Sequence, residues 1–260
     1  MNTIYLVFAI VLGLAVGSFL NVVIFRLPRG TMFRFRRSIC PQCEKQLAWY
    51  HNLPLVSYLV LGGKCAFCKK TISWRYPLVE LLNAGFYALA LVYFGLGWTA
   101  LAYAALGSAL LAIFFIDLDH QIIPDSITLP GIVAGLGVSF LPDGIGIVQA
   151  GIGMLVGGGS LLLIALLGDW LFKKESMGGG DIKMAAMLGA FLGWQKVLLV
   201  FICSAAIGLV ISVAIMVFSE ELRRTRQIPF GPFLVLAAVL AIVCGDQIIG
   251  FYQVTILGLP

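Results

Sequence analysis

Met177-Gly178-Gly179-Gly180-Asp181-Ile182-Lys183 sets three glycines and an acid between two apolar segments. The other acid-rich junction of this kind is Ile116-Asp117-Leu118-Asp119-His120-Gln121-Ile122-Ile123-Pro124-Asp125. Ionisable groups at the edge of hydrocarbon are costly, so they point to a function and to a partner. Glycines before the carboxylate let the backbone bend sharply and let another peptide come close. The pairing suggested is of Asp181 with Asp117.

The apolar segments around these junctions decide the fold class. The chain is 61% hydrophobic and 11% charged, with several apolar runs of membrane-spanning length, which excludes an ordinary soluble domain. The runs are aliphatic and do not alternate, which argues against an outer-membrane barrel. The expectation is an all-α polytopic membrane protein of about eight transmembrane helices with one zinc-stapled loop. A net charge of +5 would suit nucleic acid if it formed a basic face. Here the charges gather beside apolar ends, where they fit membrane topology and anionic lipid headgroups, and no nucleic-acid partner is expected. Oligomeric state is not legible.

The first run, residues 3–24, lacks a basic segment before it and is followed by Arg26, Arg29, Arg34, Arg36 and Arg37. That order predicts a retained helix with its N-terminus outside and the next loop in the cytoplasm. Residues 26–76 hold ten of the seventeen Lys and Arg residues and one acid, Glu44. Further runs cover 77–95, 98–116, 126–140, 148–172, 184–193, 196–218 and 229–252. Lys173 and Lys174, then Arg223, Arg224 and Arg226, mark returns to the cytoplasm. The segment 184–193 is short for a span unless it is tilted, re-entrant or extended through the glycine motif. No internal repeat is evident. The expected organisation is a first helix over 1–25, a cytoplasmic cysteine-rich loop over 26–76 and a membrane core over 77–260.

Two carboxylates within a few ångströms of each other do not both ionise readily, so the pair shares a proton. One can act as base on water while the other polarises a peptide carbonyl. The alternative is that both acids lie solvated at the headgroups or cap helices. Asp117 directly ends an apolar run and suits a desolvated pair. Pro124-Asp125-Ser126 reads as the start of the next helix, with Asp125 or Ser126 as its cap.

Cys40-Pro41-Gln42-Cys43 and Cys65-Ala66-Phe67-Cys68 are separated by 21 residues. Four thiolates at such spacing suit a closed tetrahedral zinc site that can fold a loop lacking a core of its own. A disulfide or a redox pair is the competing reading, disfavoured by a cytoplasmic loop. Cys203 and Cys244 lie in apolar runs as packing residues.

Asp117 followed by Pro124-Asp125, and then Gly178-x-Gly180-Asp181, resemble the two signatures of the bacterial type IV prepilin peptidases, the GxGD-type membrane aspartyl proteases. Residues 17–28 (GSFLNVVIFRLP), 76–80 (YPLVE) and 188–194 (LGAFLGW) resemble further motifs of that family in the same order. The resemblance implies an inner-membrane enzyme that cuts the short basic leader from type IV prepilins and type II secretion pseudopilins. Asp117 and Asp181 are its implied catalytic pair, with Gly178, Gly180 and Asp125 supporting. It also implies N-methylation of the new terminus from S-adenosylmethionine, with Glu80, Asn21 and Arg26 as the residues carried over for that step. Another GxGD protease, or a non-catalytic assembly or transport protein with an acidic ion path, is the alternative.

Overall fold

In lipid, every backbone N–H and C=O has to be bonded within the protein, which a helix does inside one segment. The computed structural model, which describes residues 3–32, 38–40, 42–173, 177–218, 229–255 and 258, follows that rule. Its helices are α1 (Thr3–Arg26), α2 (Val56–Val60), α3 (Arg75–Phe94), α4 (Trp98–His120), α5 (Asp125–Val138), α6 (Ile147–Phe172), α7 (Gly179–Phe218) and α8 (Gly231–Thr255). Arg34, Arg36, Arg37, Pro41, Lys174, Arg223, Arg224 and Arg226 lie outside the described residues. Two isolated bridges, and no strand, occur among the described residues.

All eight expected apolar runs are helical. Six helices, α1, α3, α4, α6, α7 and α8, are long and apolar enough to cross a membrane. The count is six because α7 carries two of the runs and because α5 has only 14 residues. At 1.5 Å per residue α5 reaches roughly 21 Å, against hydrocarbon about 30 Å thick. Within α7, Gly193 takes φ 80° and ψ 172°, a backbone state open to glycine, and breaks the helix into two arms. The short run 184–193 gains length at its other end, because α7 begins at Gly179, inside the glycine motif.

Internal packing divides the chain into two compact units, Met1–Ile116 and Asp117–Pro260. In the first, α1 packs on α3. Asn83, fully buried, donates to the Gly13 carbonyl at 2.7 Å and accepts from the Ser108 hydroxyl at 2.7 Å. Bonds of this kind between membrane helices contribute roughly 0.6–1.7 kcal/mol each. Tyr87, Ala90 and Ala104 form a core that Leu12, Val16 and Tyr103 cover. At the start of α3, Arg75 donates to the Phe115 carbonyl at 3.1 Å and lies 4.3 Å from that residue's ring centre.

In the second unit α7 packs against α5, α6 and α8. Met184, Met187, Leu188, Val197 and Val200 on α7 and Leu234 on α8 are fully buried. Gly153 of α6 and Gly189 of α7 meet backbone to backbone, so that a β-carbon on either would overlap the other's carbonyl oxygen. Small residues that bring backbones together are a means of joining helices where lipid supplies no hydrophobic drive. Large apolar side chains on the opposite side of α6, such as Leu155, Leu163 and Leu166, are exposed, as a lipid-facing surface requires.

Candidate functional site

Asp117 lies in the last turn of α4 and is 5% exposed; Asp181 lies in the first turn of α7. The Asp181 N–H donates to the Gly178 carbonyl at 3.1 Å, which closes that first turn. A carboxylate there faces the positive end of the helix dipole. Close approach explains two of the motif's three glycines, Gly178 and Gly180. A β-carbon on Gly180 would lie 2.8 Å from the Ile123 Cβ, and one on Gly178 would lie 3.2 Å from Asp181 Oδ2. The glycines thus let the start of α7 sit against the α4–α5 connection, which brings the two acids near enough for Asp117 to act electrostatically on Asp181. Asp181 Oδ1 is buried and has no hydrogen-bond partner among the described residues. A burial of that kind costs about 1–3 kcal/mol unless something bonds the atom.

Gly231, the first residue of α8, completes this cluster. Its backbone N–H is within hydrogen-bonding reach of the Asp117 carboxylate, and a β-carbon on it would come 2.5 Å from Asp117 Oδ2. The sequence reading did not single it out. The available signal was Pro229-Phe230-Gly231-Pro232, a glycine framed by prolines where an apolar run resumes.

Asp125 opens α5, but the expected cap is not formed. Pro124 takes the cap position without a side-chain bond, and both Asp125 oxygens instead bind Lys183 Nζ, at 2.8 and 2.6 Å. Both side chains are substantially exposed, so the pair is worth about 0–1 kcal/mol as a tie between α5 and α7.

Cys40, Cys43, Cys65 and Cys68 gather with their sulfurs all within 4.8 Å of one another, and Cys40 and Cys68 are 4.0 Å apart. Zinc–sulfur bonds of about 2.3 Å in a tetrahedron put sulfurs roughly 3.8 Å apart, so the four residues fit a metal ion. Their two segments fold alike, and the residues repeat with them, Cys40, Cys43, Lys45 and Trp49 matching Cys65, Cys68, Lys70 and Trp74 in register, a short internal repeat that the sequence analysis did not find. Ile39 bridges Gln46 as Lys64 bridges Thr71. Cys40 N–H donates to Lys45 O as Cys65 N–H does to Lys70 O, and Glu44 and Lys69 take matching φ values of 56° and 59°. The N–H groups of Cys68 and Phe67 hold the Cys65 thiol down to about 6. At Cys43 the Lys45 N–H lowers the thiol, but desolvation and the neighbouring Cys40 and Cys68 sulfurs outweigh it and raise it to about 11. One thiolate forms readily here and the next is opposed, which a bound cation would relieve.

Asn21, Arg26 and Glu80 line one cavity of ≈ 620 Å³ between α1, the start of α3 and the cysteine loop. Asn21 donates to the Tyr76 carbonyl at 3.1 Å. Arg26 and Glu80 are each 7% exposed. Glu80 Oε2 accepts the Leu55 N–H at 2.8 Å. Cys40 and Cys65 form part of the same lining.

Residues 11–94 match the bacterial Peptidase A24 N-terminal domain, and residues 104–213 match the type IV leader peptidase family. The chain is 40% identical to the prepilin leader peptidase/N-methyltransferase of Stutzerimonas stutzeri, over 94% of this chain and 92% of that protein. It is 39% identical to the protein of the same name from Pseudomonas aeruginosa, over 94% and 91%. With that of Myxococcus xanthus it shares 42% identity, over 87% and 69%. No solved structure matches.

Proposed function

Because this chain belongs to the type IV leader peptidase family, we propose that it cuts the leader from prepilins and pseudopilins and methylates the terminus so exposed. The observation that supports the proteolytic half is that Asp117 at the end of α4 lies near enough to Asp181 at the start of α7 to act on its charge, with Asp181 Oδ1 buried and without a hydrogen-bond partner among the described residues. A dyad of this kind holds one proton between two carboxylates. The ionised member takes a proton from water as the water attacks the scissile carbonyl, and the protonated member donates to the carbonyl oxygen. The tetrahedral species then collapses, and the leaving nitrogen takes a proton from the dyad. Gly178 and Gly180 let the two acids meet, and the Asp125–Lys183 pair ties α5 to α7 beside them.

The positive-inside rule supports a cytoplasmic location for the proposed dyad and the cysteine loop at the inner membrane. Within that arrangement we assign 1–25 to a first helix, 26–76 to the zinc-binding loop and 77–260 to the peptidase core. Zinc on Cys40, Cys43, Cys65 and Cys68 would be structural, since four thiolates leave no open position for substrate. S-adenosylmethionine would supply an electrophilic methyl group, with Glu80, Asn21 and Arg26 around it.

The test is incubation of the purified chain with prepilin peptides, with the cut located by mass spectrometry. Wild type should release the leader at one bond, and folded Asp181→Asn should release none. Full cleavage by that variant would remove Asp181 from the mechanism.

A further inference from the structure

We propose that the segment carrying α2 is set into the membrane rather than held above it, with Val56, Leu59 and Val60 among the upper acyl chains of a phospholipid leaflet. The leaflet is the one on the basic side, which the positive-inside rule makes the cytoplasmic one. The spans α1 and α3 fix the depth. Arg26 ends α1 and Arg75 opens α3, and cations at such ends mark the headgroup level. Ser18 lies eight residues before Arg26 and Glu80 five residues after Arg75, roughly 12 Å and 8 Å further in at 1.5 Å per residue. Both residues hold the loop. The Ser18 hydroxyl donates to the Asn52 carbonyl at 3.3 Å, and Glu80 Oε2 accepts the Leu55 N–H at 2.8 Å. Residues 52–55 are thus carried below the helix ends, to the depth of about 5–10 Å at which interfacial helices lie.

These two bonds are what such a depth demands. Non-helical backbone inside a membrane has to find its partners in protein, and side chains of α1 and α3 supply them to Asn52 and Leu55. Leu55 takes φ 58° and ψ −45°, an uncommon state for a residue with a side chain, and leads directly into α2. Leu53 and Leu61, on either side of α2, line a cavity together with Phe19 and Val22 of α1. Both ends of the short helix therefore stay beside α1.

The helix has two faces. Ser57 and Tyr58 line that cavity, and the Tyr58 hydroxyl donates to the Ile72 carbonyl at 3.5 Å. Val56, Leu59 and Val60, spaced i, i+3 and i+4 on the other face, are open, with Leu59 75% and Val60 79% exposed. Apolar side chains so exposed at that depth meet lipid. Trp49, Tyr50 and Trp74 are exposed as well, and Trp74 directly precedes α3. Trp and Tyr gather at the headgroup level, where one end of the ring is apolar and the other is wet. Charge fits the same surface. Lys64, Lys69 and Lys70 follow α2 and are exposed, and Glu44 is the one acid in residues 26–76. A basic set of this kind is drawn to anionic phospholipid.

The test uses the full chain in nanodiscs of zwitterionic and anionic phospholipid, part of it brominated near the top of the acyl chains. Bromine quenches tryptophan on contact, and aqueous acrylamide quenches tryptophan that water reaches. Leu59→Trp and, separately, Val60→Trp add one indole to the five native ones, and the difference from wild type isolates its emission. In both variants the added emission should be lost to brominated lipid and kept against acrylamide. Wild-type metal content and melting temperature show that the loop is folded, and if one variant loses its metal the other decides. Should both lose it, Trp49→Phe decides by subtraction, because removing an indole that lipid already quenches lowers the bromine-sensitive share of the emission. Quenching by acrylamide and not by bromine would put α2 in water and overturn the proposal. Protection from both quenchers would mean that protein covers this face, which overturns lipid as its occupant.

Discussion

A methyl group on Gly231 would sit 2.5 Å from Asp117 Oδ2, about an ångström inside ordinary contact, and one of the two must move. Catalytic geometry is intolerant of such a shift, and a displacement of about 1 Å can cost about 100-fold in rate. Gly231→Ala should therefore lower kcat for leader cleavage by about that factor while the chain stays folded, as steady-state kinetics beside a thermal melt will show. Unchanged cleavage would mean that α8 does not set Asp117. Asp117 and Asp181 are legible in the sequence because a charge at the border of hydrocarbon is conspicuous. Gly231 is not, because glycine carries no chemistry of its own and its contact with Asp117 arises only when α8 folds back onto the end of α4. The pairing of Asp125 with Lys183 is hidden for a similar reason. An acid next to a proline at a helix start reads as a cap until a cation from another helix is seen beside it.

At the scale of elements, helix existence follows from apolar length, and every expected run is helical. The ends of α7 are harder to read, since glycine is a poor helix former in isolation. Gly179 and Gly180 nevertheless open the helix, and Gly180 lets it pack closely on Ile123, whereas a β-carbon on Gly179 would meet open space. The break at Gly193 comes instead from a φ of 80°. The α6–α7 contact gives a direct test of close packing. Gly189→Val would drive a branched side chain onto the Gly153 carbonyl and force the helices apart. Overpacking of this kind costs about 1–3 kcal/mol, and unfolding in mixed micelles should show a loss of that order. The cysteine loop makes a separate prediction. Its sulfurs already lie at metal-binding distances, so metal analysis should find about one zinc per chain, the complement of a four-thiolate site. Cys43→Ser should lower that content and make the loop more sensitive to added protease. An anaerobic preparation with no metal and a Cys–Cys bridge would contradict the zinc assignment. The likeness of the two CxxC segments is present in the residues, where Cys40, Cys43, Lys45 and Trp49 recur in register as Cys65, Cys68, Lys70 and Trp74. It shows in matching hydrogen bonds and φ values at Glu44 and Lys69, and spacing read only for metal ligands passes over it.

At the scale of the whole molecule, the dyad belongs to one compact unit and the cavity and cysteines to the other. Two activities in one chain therefore have to be ordered by their chemistry. The methyl acceptor is an α-amine that does not exist until the leader is cut. Before cleavage the same nitrogen is an amide whose lone pair is delocalised into the carbonyl, which makes it a poor nucleophile. Folded Asp117→Asn should accordingly leave full-length prepilin both uncut and unmethylated at the processing position. Given a pilin already cleaved and carrying a free terminus, the same variant should transfer the methyl group, because Glu80, Asn21 and Arg26, the residues proposed for that step, lie outside the unit that holds the proposed dyad. Mass spectrometry of both substrates after incubation with S-adenosylmethionine reads the two cases side by side. Failure of the folded variant on the pre-cleaved substrate, with wild type active on it, would mean that the activities share residues and that division of labour between the units is wrong.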